Sequence, residues 1–211
     1  MKLIVSDFDG TFYDENYLEN IDFIKSLKDV DFVIATGRNY ESLKRDLKID
    51  CKYYICNDGG YILDNNENVI YKNYMNDNSI KIVYDRMKEL NFSKYFFDYV
   101  DHFDEDLKPK VNKLSIRKKD NNTYSDMKYM FEGIDDIYGY LSENWINILS
   151  IESKKELAIE KIKSNYDEVI VIGNEINDYE MIKKYNGYLI NKELKNDENT
   201  INNFLDLKGK I

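Results

Sequence analysis

The chain has 211 residues, room for one large domain or two small ones. Its 40 acidic against 30 basic side chains give a formal net charge of −10, which repels phosphate backbones and anionic lipid and argues against a nucleic-acid or membrane partner. With 43% hydrophobic and 14% aromatic residues it can bury a core, which excludes wholesale disorder.

Leu3, Ile4 and Val5 form a short unbroken apolar run, as in a strand buried on both faces, and one too short for the apolar part of a signal peptide. Tyr17, Ile21, Ile24 and Leu27 share one helical stripe. A second buried run at 32–35 precedes another helical pattern, Tyr40, Leu43 and Leu47. A third run at 53–56 is stopped by Asn57-Asp58-Gly59-Gly60, a strong turn signal. This alternation predicts a parallel sheet wrapped by helices.

The middle reads differently. It predicts strands at 69–71 and 95–97 around a helix over 80–90, partial alternation over 111–117, a helix over 123–132, and strands at 137–141 and 145–151. Strands this close together predict antiparallel pairing. The opening pattern then returns. Ser153 and Glu156 have capping-box spacing before Leu157, Ile159 and Ile162, and a buried strand at 169–172 ends at Gly173. A helix from about 178 and a short strand at 188–190 follow. The fold class is α/β: a three-layer core with a parallel sheet, from 1–62 and 152–211, interrupted by an α+β insertion over 63–151.

The sharpest chemical signal is Asp7-Phe8-Asp9-Gly10-Thr11, which follows the first strand. That places it at the carboxyl edge of the sheet, where α/β proteins bind ligands. Asp7 and Asp9, two apart, point to the same side of an extended chain, and Gly10 permits a turn or a close approach. Paired carboxylates repel, and a hard dication such as Mg²⁺ relieves this. Taken alone, the same residues also suit a helix cap and a turn. His102 is the sole histidine, so a His-based triad or His metal cluster is excluded. Cys51 and Cys56 are too few for a disulfide scaffold, and a reducing cytoplasm is the default compartment. Arg38 suits either a surface salt bridge or substrate contact, and the aromatics over 95–99 suit either core or substrate.

Asp7-Phe8-Asp9-Gly10-Thr11 resembles the first motif of the haloacid dehalogenase-like phosphatases, and three later segments follow in the family's order. Ala35-Thr36-Gly37-Arg38 ends the second apolar run, as the second motif does. The segment 145–159 is similar to the family's strand, short turn and Lys-x-x-Ala-aliphatic; this makes Lys155 the motif lysine, with Lys154 as its rival. Gly173-Asn174-Glu175-Ile176-Asn177-Asp178-Tyr179-Glu180-Met181 resembles the fourth motif, usually Gly-Asp-x-x-Asn-Asp-x-x-Met. The pattern is most like the Cof-type subfamily, whose cap domain is inserted after the second motif.

The resemblance implies a Rossmann-like core and a mobile cap that excludes water and selects substrate. It implies a Mg²⁺-dependent phosphatase of small phosphorylated metabolites, and the compact insert over 63–151, with less surface for recognition, points to a modest substrate such as a sugar phosphate or phosphoglycolate. Asp7 would attack phosphorus, and Asp9 would protonate the leaving alkoxide and later accept a proton from water. Thr36, Gly37, Lys155 and Asn177 would hold the phosphoryl group. Asp7, Asp9, Asn174 and Asp178 would hold the metal. Asn174 departs from the family's aspartate and offers a carbonyl oxygen without the charge. Lys155, placed second in a helix capped by Ser153, would meet the positive end of the helix dipole at a cost of ~0.3–1 kcal/mol, which an anion site tolerates. A phosphotransferase or phosphomutase with the same intermediate, or a non-catalytic binder of a phosphorylated ligand, carries the same motifs.

Overall fold

The computed structural model is described over residues 1–90, 92, 94–100, 102–118, 124–142, 144–190 and 199–211. In chain order its elements are β1 (Lys2–Ser6), α1 (Tyr17–Ser26), β2 (Val30–Ala35), α2 (Tyr40–Asp46), β3 (Tyr53–Cys56), β4 (Tyr61–Asp64) and β5 (Val69–Lys72). Then come α3 (Asp77–Glu89), β6 (Lys94–Asp98), β7 (Phe103–Asp104), β8 (Lys113–Arg117), α4 (Tyr124–Phe131), β9 (Ile137–Ser142) and β10 (Trp145–Ser150). The last part holds α5 (Lys155–Ile162), β11 (Glu168–Gly173), α6 (Tyr179–Tyr185), β12 (Tyr188–Ile190) and β13 (Thr200–Ile201).

The large sheet has the order β13-β12-β11-β1-β2-β3-β4-β5. It is parallel from β13 to β3 and antiparallel at β4 and β5. Side chains alternate across it, as a sheet covered on both faces requires. Leu3, Val5, Val33, Ala35 and Val171 bury against Ala158 and Ile159 of α5 and Met181 of α6. Ile4, Ile34 and Ile172 bury on the other face with Phe12, Phe204 and the Tyr17, Ile21 and Ile24 stripe of α1. Each aliphatic side chain so enclosed contributes about 1.5–3 kcal/mol. The second sheet, β7-β6-β8-β10-β9, is wholly antiparallel. One of its faces, with Phe97, Leu114, Ile116, Ile146 and Ile148, packs on Val83 and Met87 of α3 and Met130 of α4.

Three features differ from expectation. The large sheet runs on to Lys72, so the crossing to the second sheet comes about ten residues later than 62. The β4–β5 hairpin was missed as a pair because β5 is largely exposed and carries no burial signal; Asp64 shapes its turn by accepting from the Asn66 and Asn68 amides, each at 2.8 Å. Ser153 does not cap α5. Its Oγ accepts from Asn73 Nδ2 at 3.0 Å, Lys154 occupies the cap position without a side-chain bond, and Lys155 is the first helical residue. Finally, β13 and the turn after it were not anticipated, yet Phe204 is fully buried among Phe12, Phe23 and Phe32. Among the described residues no helix is long and apolar enough to cross a membrane.

Candidate active site

Register brings the predicted residues to one edge. Ser6 lies opposite Ile34 on one side and Ile172 on the other. Asp7 follows β1, Thr36 follows β2 and Asn174 follows β11, so all three emerge at the carboxyl edge where the chain leaves β1 toward opposite sides. Only glycine suits position 10: φ is +71°, and a Cβ there would stand 2.5 Å from Asn174 Nδ2.

Lys155 lies under this edge. It is 1% exposed, and its Nζ donates to Asp7 Oδ1 at 2.6 Å and to Asp178 Oδ1 at 2.7 Å. Asp178 is fully buried; its Oδ2 accepts from the Asn174 and Glu175 amides at 3.0 and 3.1 Å. Burial alone would pull the Lys155 ammonium down, but Asp178 and Asp7 outweigh it and hold it above the usual lysine range. Burial pushes the Asp7 carboxyl up, to about 8, with Lys155 opposing and Asp178 adding to the rise. Lys154, by contrast, is half-buried with its Nζ over the Tyr138 ring at 5.2 Å. The geometry therefore places Lys155, and not Lys154, on the two carboxylates.

Thr36 is 1% exposed, and its Oγ1 accepts from the Arg38 amide at 3.1 Å. Beside it Asp58 sits in a left-handed conformation, φ +53°, inside the turn after β3. Asp58 accepts from Tyr140 at 2.7 Å and from Asn177 Nδ2 at 2.8 Å, and Lys113 Nζ lies 3.8 Å away while donating to the Gly37 carbonyl. Ser142 donates to Glu175. The second sheet thus bonds directly to the loops that hold Gly37, Glu175 and Asn177. Between the two sheets lies a cavity of about 470 Å³, lined in part by Asp7, Asp9, Thr36, Gly37 and Asn177.

Asp9 stands apart from this buried set. Its side chain is 51% exposed and is held by Arg38, through Nε to Oδ2 at 2.8 Å and Nη2 to Oδ1 at 2.5 Å. Such a fork fixes the carboxylate plane as well as its position. Arg38 Nη1 also reaches Asp46 at 2.5 Å, and the guanidinium lies 5.0 Å from the Phe8 ring centroid.

Of the four residues expected to hold metal, two keep acceptor capacity on a side-chain oxygen. Among the described residues nothing donates to Asp7 Oδ2, while Asn174 Oδ1 accepts only from Thr11 Oγ1, at 3.1 Å. The Asp9 and Asp178 carboxylates are engaged as above, and no group of three or more His, Cys, Asp or Glu side chains forms a metal cage among the described residues. This donor set still fits Mg²⁺, which is commonly held by one or two carboxylates completed by water and substrate phosphate. Asn174→Asp adds the missing anionic ligand, so it is expected to tighten Mg²⁺ binding about tenfold in isothermal calorimetry; unchanged affinity would remove position 174 from the metal shell.

Sequence reasoning missed Asp58, Lys113 and Tyr140. The Asn-Asp-Gly-Gly run marked only a turn, and nothing in the local pattern tells a buried turn acid from a solvated one. The aromatics at 95–99 divide by alternation: Phe97 is fully buried, and Phe96 lines the cavity. His102 stacks on Tyr99, with centroids 4.9 Å apart, and takes no part in the site.

Comparison with known proteins agrees with this geometry. A model of the haloacid dehalogenase-like hydrolases matches residues 4–103 and 84–191. An uncharacterized protein of Mycoplasma capricolum is 35% identical over 112 residues, 47% of this chain; the match spans 40% of that relative's length. Among solved structures, the phosphatase BT1666 from Bacteroides thetaiotaomicron is similar with a TM-score of 0.79 at 12% identity, covering 99% of this chain and 94% of that one. The subclass IIB sugar phosphatase BT4131 is similar with a TM-score of 0.73 at 18% identity, over 91% and 88% of the two chains. At such identities these likenesses speak for the fold. The family model spans both ends of the chain together with all four motif segments, and the protein therefore belongs to the haloacid dehalogenase-like hydrolases, in their Cof-type branch.

Proposed function

We propose that the protein is a Mg²⁺-dependent phosphatase of small phosphorylated metabolites such as sugar phosphates, working through an aspartyl-phosphate on Asp7. The observation that carries this reading is the buried Asp7–Lys155–Asp178 chain of ion pairs, whose Asp7 end lines a cavity of about 470 Å³. Lys155 holds Oδ1, which turns Oδ2 outward as the attacking atom. Oδ2 forms a bond to phosphorus while the bond to the leaving alkoxide breaks, and Asp9 gives the alkoxide a proton. Asp9 then takes a proton from water, whose oxygen attacks phosphorus and returns Asp7 as a carboxylate. Arg38 donates to both Asp9 oxygens, so one of these bonds must open for Asp9 to carry and pass the proton. Thr36 and Asn177 supply donors for the phosphoryl oxygens. Asp7 and Asn174 would hold a dication, which would supply counter-charge for the phosphoryl group.

We read the unit built on the second sheet as a cap over the site, since Lys113, Tyr140 and Ser142 reach across to the phosphate-binding loops. The similarity to the sugar phosphatase BT4131 points the same way on substrate. Two buried free thiols, Cys51 and Cys56, suit a reducing compartment. The test is phosphate release from p-nitrophenyl phosphate and from a panel of phosphorylated metabolites, with Mg²⁺ and with EDTA. Release with Mg²⁺ alone is expected. No release from any ester, or a clear preference for phosphoprotein, would overturn the reading.

A further inference from the structure

The second sheet turns one face to the cavity, and simple alternation builds that face. Phe96 and Asp98 on β6, Lys113 and Ser115 on β8, and Trp145 and Asn147 on β10 all line the cavity. They share a face because Phe96 pairs with Ser115, Asp98 with Lys113, and Ser115 with Asn147 across the strands.

This wall has a definite chemistry. Asp98 is 8% exposed, and its oxygens accept from Ser115 Oγ at 2.8 Å and Asn39 Nδ2 at 3.3 Å. A carboxylate has about four acceptor positions, so roughly two remain for ligand hydroxyls. Ser115 also lies 3.4 Å from Asn147 Oδ1, which joins the three polar groups in one row. Beside the row, Phe96 and Trp145 stack with centroids 5.9 Å apart and planes 27° apart, an apolar platform for a ring or carbon chain.

The charges decide what enters. The cations lining the cavity are Arg38 and Lys113. Arg38 is paired with Asp9 and Asp46, while Lys113 donates to the Gly37 carbonyl and has Asp58 at 3.8 Å and Asp98 as its cross-strand neighbour. Against them stand Asp7, Asp9, Asp98 and Glu175. Lys155 meets Asp7 at the phosphoryl end. At the far end, no lining residue among those described offers a free cation to a second anion.

We propose that the Asp98–Ser115–Asn147 row selects an uncharged, polyhydroxylated leaving group and turns away esters that carry a second anionic group, a carboxylate or another phosphate. The inference rests on the phosphatase reading and narrows it, since it removes phosphoglycolate from the candidate substrates. Like charge at a desolvated contact is a strong rejecting element.

Sorbitol 6-phosphate and 6-phosphogluconate differ only by a hydroxymethyl group against a carboxylate, and they form the test pair. Both are measured as kcat/KM on the native chain with Mg²⁺, and as Kd on Asp7→Asn, which holds an ester without cleaving it. The sorbitol ester is expected to lead by about tenfold or more in both measures. Asp98→Asn is expected to shrink that ratio severalfold. Asn147→Ala, which removes a hydroxyl partner but no charge, is expected to weaken both esters and leave their ratio near the native value. Equal or better use of the acid by the native chain, a ratio unmoved by Asp98→Asn, or binding of neither ester would overturn the proposal. A preference in Kd without phosphate release from any ester would sustain the subsite while defeating the phosphatase reading.

Discussion

Asp7→Asn abolishes turnover and leaves the fold at least as stable as before. The amide lacks the anionic oxygen that bonds to phosphorus, so kcat/KM for any substrate is expected to fall by about 10⁴ or more. Stability moves the other way because the native carboxylate is held in a costly place. It is 6% exposed, and burial raises its carboxyl from 3.8 to about 8 despite Lys155. A carboxyl raised in the folded state binds more protons folded than unfolded. Its contribution is fully present below about 3.8 and is lost as pH rises through about 8. Asparagine removes this dependence. Without metal, the native chain is therefore expected to lose melting temperature from pH 4 to pH 8 more steeply than the variant. Substantial residual activity would contradict the nucleophile assignment, and an unfolded variant would contradict the account of its burial.

Lys155→Ala is the second large effect, and here activity and stability fall together. Removing the ammonium leaves Asp7 and Asp178 facing each other with nothing between them. Breaking a buried pair by deleting one partner costs about 3–5 kcal/mol. In a chain of this size that is a drop of roughly 6–20 °C in melting temperature. The phosphoryl site loses its fixed cation as well, so turnover falls even where the chain remains folded. Lys154→Ala is the control: it gives up a half-exposed contact with the Tyr138 ring, worth about 0.5–1 kcal/mol. Circular-dichroism melts and phosphate-release rates on the two variants check this, and a larger loss from Lys154→Ala would move the motif lysine by one residue.

The strand endings were legible because burial writes itself locally. An unbroken apolar run reads as a strand enclosed on both faces, and the polar residue after it reads as an edge residue; Asp7 is legible in that way, whereas Thr36 and Asn174 come from the motif resemblance. The capping-box spacing at Ser153 misled because the serine hydroxyl bonds instead to Asn73, 80 residues away in sequence. A competing long-range partner leaves no local trace. The late crossing at Lys72 was hidden for a different reason: a strand at 69–71 is legible, but its largely exposed side chains do not tell which sheet it joins.

The amino-acid order by itself determined the α/β class, the change of pattern in the middle of the chain and the four segments that meet at the carboxyl edge, because these follow from apolar patterning and short motifs. Only tertiary structure decided which lysine sits between the carboxylates, that Arg38 grips Asp9, and that Asp58, Lys113 and Tyr140 join the site. Each of those depends on which distant groups share one enclosed volume. The strength and sign of an interaction between charges are set by separation and burial, and neither is encoded within a few residues of the chain.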